Sequence, residues 1–290
     1  MRALTVLTGC LLLWRATVVG QRTASPLTGV RVELDSVTSG QEYLVYAYRV
    51  ANPVESKGGA AAFSIDLSAP RGTGFLTLPA TGRFMHGPGF PSVNRSQFRE
   101  HVPVGPISPS NWMAFLVKDG GLDWFGARGG LSGQFDSIAP GDSLGGFGLR
   151  SPFLPGIRPS SADPTFASCC TNLRSPGQSS EPEYPNPSEF RVHGWTVAPT
   201  YRPDQMTLGV MAELLDRSCR KLAWVSPREI CQILRAKLGP GGSADAATVK
   251  RSLRAFLEQL DTQHGGVEKH VSDNAYWLLK VNGEYLLAHM

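Results

Sequence analysis

Residues 243–266 read SADAATVKRSLRAFLEQLDTQHGG, and they decide how the second part of the chain folds. Val249, Leu253, Phe256, Leu257 and Leu260 recur at helical spacing with charged residues between them, drawing one apolar stripe along a helix. Burying each of those side chains is worth roughly 1.5 to 3 kcal/mol before chain entropy is counted, so the helix needs a partner surface. Gly265 and Gly266 end it where a left-handed C-cap calls for glycine.

Upstream, Ser226-Pro227-Arg228-Glu229 offers a capping serine, a proline for the first helical position and a glutamate three residues past the cap, the pattern of a capping box. The helix it announces carries Ile230, Leu234 and Leu238 on one side and stops at Gly239-Pro240-Gly241. Before it, Leu208, Met211, Leu215, Cys219 and Leu222 form another stripe. A last segment starts at Ser272 or Asp273 and aligns Ala275, Leu278, Leu279, Asn282, Tyr285 and Leu286. Four short helices over 204–290 predict a small four-helix bundle, with Trp224 and Trp277 facing one another in its core. The runs LRAFLEQLDTQHG and SDNAYWLLKVNGEYLL, within 249–287, resemble the paired final helices of FIMAH-type modules, small helical domains appended to bacterial extracellular proteins. The resemblance implies an accessory domain that engages surface or matrix material, and it brings no catalytic residues with it.

Residues 1–20 have a charged start, an apolar run around Leu11-Leu12-Leu13 and small residues at Val18-Val19-Gly20, the layout of a secretory signal peptide. Leu7-Thr8-Gly9-Cys10 imitates a lipoprotein box, but the apolar run continues beyond it. No later window approaches the ~20 apolar residues of a membrane span. The formal net charge of +4 includes Arg2 and Arg15, and residues 21–200 balance 14 basic against 14 acidic side chains, so a nucleic-acid partner is not expected. Beyond the leader stand Cys169, Cys170, Cys219 and Cys231, an even number that suits an oxidising compartment. Cys219 and Cys231 fall at facing helix ends, where a disulfide would close a short loop. No C-x-x-C or paired histidines support a zinc site.

Ahead of the helices the period is two. Strands are expected at 30–34, 43–50, 63–68, 112–117, 122–125, 134–138, 143–150 and 189–198, separated by Gly- and Pro-rich turns such as Asn52-Pro53 and Gly58-Gly59. That pattern predicts an antiparallel β-sandwich, immunoglobulin-like or jelly-roll-like, over 26–199, followed by a linker at 200–203. Residues 70–110 read as an ordered loop or irregular strands, and 158–188 as a solvated excursion.

Chemistry is sparse. Gly141-Asp142-Ser143-Leu144 resembles the serine block of the GDSL hydrolases, and Asp261-Thr262-Gln263-His264 has the spacing of their Asp-x-x-His pair. That would make an esterase of Ser143 and His264. In that family, however, the block lies near the mature N-terminus between a parallel strand and a helix, and no Gly-x-Asn-Asp follows here. Asp119, Asp123, Asp136 and Asp142 could converge on calcium if their loops share one end of the sandwich, although turn chemistry explains them as well. His86, His101, His193, His270 and His289 are scattered, and Asn94-Arg95-Ser96 is a glycosylation acceptor only in a eukaryotic host. Trp124 and Phe125, with Trp112 a strand away, could form a sugar-stacking platform, or fill the core. The expectation is an exported, non-catalytic binding or structural module of the cell surface or extracellular matrix, without cofactor, whose partner is a polysaccharide or a surface protein. The esterase is the alternative.

Overall fold

The computed structural model describes residues 26–40, 43–67, 84–86, 105–116, 121–126, 136–164, 190–239 and 245–290. Two antiparallel sheets come first and four helices follow. The strands are β1 (Arg31–Ser39), β2 (Leu44–Ala51), β3 (Ala62–Asp66), β4 (Phe84–His86), β5 (Gly105–Ile107), β6 (Trp112–Leu116), β7 (Gly121–Gly126), β8 (Ser143–Ser151), β9 (Leu154–Asp163) and β10 (Val192–Tyr201). One sheet has the order β1-β2-β8-β5 and the other β10-β9-β3-β7-β6-β4. The helices are α1 (Leu208–Arg220), α2 (Arg228–Leu238), α3 (Ala246–Gly265) and α4 (Asp273–His289).

Alternation puts the large side chains of both sheets on their inner faces. Phe63 stacks on Trp124 with ring centroids 4.8 Å apart, Phe147 meets both Phe63 and Trp112 edge-on, and Tyr48 leans against Trp124. Tyr48 and Phe147 belong to the four-stranded sheet and the others to the six-stranded one, so these rings bring the two sheets into contact. Trp112, Trp124 and Phe125 are 2%, 0% and 1% exposed. The expected sugar platform at these three residues is therefore corrected: they are core.

β9 departs from the sequence reading, which left 158–188 outside the sheets. Pro155, Gly156 and Pro159 disguise it, because proline cannot donate to a strand ladder. Its pairing with β3 covers only Ser160 to Asp163, so both prolines sit where β10 is the sole neighbouring strand, and that position tolerates them. Of 134–138, Ile138 forms only an isolated bridge to Ala60. Across 200–203, the expected linker, β10 runs to Tyr201 and a 3-10 turn occupies Pro203–Gln205.

The helices pack in a ring, each touching the next and α4 returning to α1. Their apolar stripes are buried as the spacing demands, with Leu253, Phe256, Leu257 and Leu260 inside α3. Capping differs in detail. Asp245 caps α3 by accepting from the Thr248 amide, and Gly266 ends it at a φ of −68°, so no left-handed cap forms there. α2 starts at Arg228 with no side-chain cap, because the Ser226 amide is committed to the His270 carbonyl in an extended segment. Gly239, with a φ of 78°, closes α2 as expected. The Cys219–Cys231 disulfide ties α1 to α2 across a separation of 12 residues, with Cα atoms 6.0 Å apart. Among the described residues no helix is long and apolar enough to cross a membrane.

The helices are bolted to the sheets by α4, which runs along the unpaired edge of β1. Asn274, buried, accepts from the Leu34 amide at 2.8 Å and donates to the Val32 carbonyl at 3.5 Å. A bulge frees the Asp35 carbonyl, and the Trp277 indole donates to it at 2.7 Å. Asn282 donates to the Pro155 carbonyl at 2.9 Å. Three side chains thus do for β1 and β9 what a further strand would do, and an otherwise adhesive edge is covered. Trp277 accordingly faces β1 rather than Trp224.

Candidate functional site

The main candidate is a cleft of about 630 Å3 where β1 and β10 meet the helices. One wall is the α1–α2 connection, and beside it runs the α3–α4 connection. The two are clamped together: Val225 bridges Val271, the Ser226 amide donates to the His270 carbonyl, and the Ser272 amide donates to the Trp224 carbonyl. The cleft is thus framed by backbone pairing, a rigid arrangement for a site.

Trp195, on β10, is 43% exposed, large and aromatic, and it opens into this space. The Arg217 guanidinium of α1 lies 4.5 Å from its ring centroid, holding the indole in place and leaving the rest of its surface to solvent. Trp224 also lines the cleft, half-buried, so the expected Trp224–Trp277 core pair is not made. Polar groups converge around them. Arg31 pairs with Glu33 at 2.9 Å, Arg49 reaches Glu33, Asp35 and Asp273, and Asp273 takes Lys269 at 2.6 Å and His264 at 2.8 Å. Partial burial would raise the Asp273 carboxyl, but the bonds from Lys269 and His264 outweigh it and hold it below the usual range. Asp35 moves the other way, raised by burial against the pull of Arg49.

The residues of the alternative esterase do not assemble. His264 gives its Nε2 to Asp273 and stacks on Tyr276, while Asp261, its expected orienting group, is taken by Lys280 and the Tyr276 hydroxyl. Ser143 opens β8 after a tight turn in which Gly141 has a φ of 84°, and among the described residues no hydrogen bond links it to His264. An activated serine needs its base held within hydrogen-bond reach.

The aspartates named for calcium do not converge among the described residues, which contain no group of three or more metal-ligating side chains. Asp119 lies outside the described residues. Asp142 sits in the turn before β8, and Asp123 is in the middle of β7. There Asp123 belongs to a cross-strand row on the outer face of the six-stranded sheet, beside Ser64, Ser161 and His193. The hydroxyls of Ser64 and Ser161 are 2.7 Å apart. Burial pushes the Asp123 carboxyl up to about 6, against the partial relief of nearby Arg191, whose guanidinium binds Asp163 through two nitrogens. Among the described residues His193 bonds neither hydroxyl, while the Ser64 hydroxyl also hydrogen-bonds the Asp123 carboxyl. Cys169, Cys170 and Asn94 lie outside the described residues.

No protein-family model matches the chain, and no curated protein matches it.

Proposed function

We propose that the protein is an exported, non-catalytic binding module of the cell surface or extracellular matrix, and that the cleft at the junction of sheets and helices holds a polysaccharide. The observation that carries this reading is Trp195, the one exposed tryptophan among the described residues, set in a concave space ringed with hydrogen-bonding groups. An aromatic plane with polar neighbours is what a sugar ring needs: its C–H face stacks while its hydroxyls are bonded from the sides. The signal-like N-terminus and the disulfide support an oxidising, extracytoplasmic location. In this reading the sheets form a β-sandwich closed by aromatic packing, and the helices form a bundle related to the FIMAH-type modules that 249–287 resemble.

Affinity electrophoresis through gels containing soluble polysaccharides tests the reading. At least one polymer should retard the protein, and Trp195→Ala should abolish the retardation while leaving the circular dichroism spectrum unchanged. Retardation equal to wild type in the alanine variant, or none with any polymer, refutes it.

A further inference from the structure

A second cleft, also about 630 Å3, opens on the other side of the α1–α2 connection. It shares Ala223 and Ser226 with the first, so the two are separated only by the exposed crest of one short loop. Together they form a track that starts at Trp195, passes Lys221, crosses the crest and continues past Arg228 to Arg220 and Arg235.

The charge along this track is one-sided. Glu33 and Asp273, the acids of the first cleft, are already matched by Arg31, Arg49 and Lys269. Lys221 and Arg228 are exposed, and among the described residues neither has an acidic partner. Arg220 and Arg235 share the single carboxylate of Asp216. Three positive charges are left without compensation, whereas the chain beyond its first 20 residues carries a formal surplus of only two. The remaining side chains therefore sum to about −1, and the positive excess is gathered here. Such a local field attracts an anion and is screened by salt.

We infer that the ligand is an acidic polysaccharide, a polymer bearing uronate carboxylates, lying across both clefts with one residue stacked on Trp195 and its carboxylates facing Lys221, Arg228 and the Arg220–Arg235 pair. This rests on the binding-module reading above and assigns its ligand class. A track on both sides of the crest calls for a chain molecule, and the arginines supply the fork that recognises carboxylates.

Full-length protein is run in affinity gels with polygalacturonate, with neutral dextran and hydroxyethylcellulose, and with a single-stranded oligothymidylate as competitor. Polygalacturonate should retard it, and Lys221→Ala and Arg228→Ala should each weaken binding by about 3- to 10-fold at low ionic strength, with much of that difference lost near 0.2 M salt. Lys237→Ala, on α2 but away from both clefts, should bind as wild type. Retention by the neutral polymers that is equal and indifferent to salt overturns the acidic assignment while leaving the binding module intact. Displacement by the oligonucleotide at equal strength overturns the saccharide assignment. Retardation by none of the polymers overturns both readings.

Discussion

Replacing Asn274 by leucine should cost about 2 to 3 kcal/mol of folding stability. The substitution keeps the volume and removes the carboxamide, leaving the Leu34 amide and the Val32 carbonyl in a buried place with nothing to bond. The amide carries most of the effect, since a stranded buried N–H costs roughly 1 to 3 kcal/mol. The carbonyl contact, at 3.5 Å, adds little. Urea unfolding followed by circular dichroism reads the change as a lower midpoint at unchanged slope, with a fall in Tm of roughly 5 to 10 °C. Hydrogen exchange localises it, because the Leu34 amide should lose protection while the amides of β8 keep theirs. Asn274→Asp is the companion: its carboxylate can still accept from Leu34 but repels the Val32 carbonyl, and only the protonated form restores a donor. Its stability should approach wild type as the pH falls. A leucine variant within about 0.5 kcal/mol of wild type, the spread of ordinary surface changes, refutes the edge-sealing role.

Other expectations follow from single sites. The folded state keeps a proton on Asp123 that the unfolded chain releases between its ordinary carboxylate value of 3.8 and about 6, so this residue makes stability fall as pH rises through that window and stay flat above it. Asp123→Asn should remove that slope and gain up to roughly 3 kcal/mol at pH 7, measured by urea midpoints between pH 3.5 and 7.5; an unchanged slope refutes it. Gly126→Ala should lower stability by more than about 2 kcal/mol in thermal unfolding, because a Cβ there would coincide with the Asp136 backbone carbonyl, which has no flexible end to move. Reducing Cys219–Cys231 should cost about 2 to 3 kcal/mol for a closed loop of 12 residues, seen as a matching drop in Tm with reductant and with Cys219→Ser/Cys231→Ser.

Periodicity made most of the architecture legible, since stripes such as 249–260 and alternating runs such as 44–50 bury one face wherever they pack. β9 was hidden because Pro155 and Pro159 carry the signature of a loop, and their tolerance depends on where β3 stops pairing, a fact of topology. Caps misled for a similar reason: Ser226 has the side chain of an N-cap, but its backbone is drawn into the bridge beside Val271. The site was the least legible part. Trp124 and Trp195 both sit in strands beside polar residues, yet one faces the opposing sheet and the other a gap between an edge strand and a helix. The nearest local hint was Gly194, which leaves room beside Trp195, but only the assembled edge turns that room into a cleft. Asn274 and Asn282 gave a fainter clue, amides on the apolar face of a helix, which signal that the surface they meet contains backbone.

The contacts that seal β1 join residues 240 and 242 positions apart in sequence, nearly the whole span of the chain. Synthesis delivers β1 well before α4, so until that helix emerges the strand waits without the cover it will have. Distant pairings of this kind slow the final step of folding and lengthen the interval in which a bare edge can meet another copy. The seventeen-residue α4 is thus a timing element as well as a packing one.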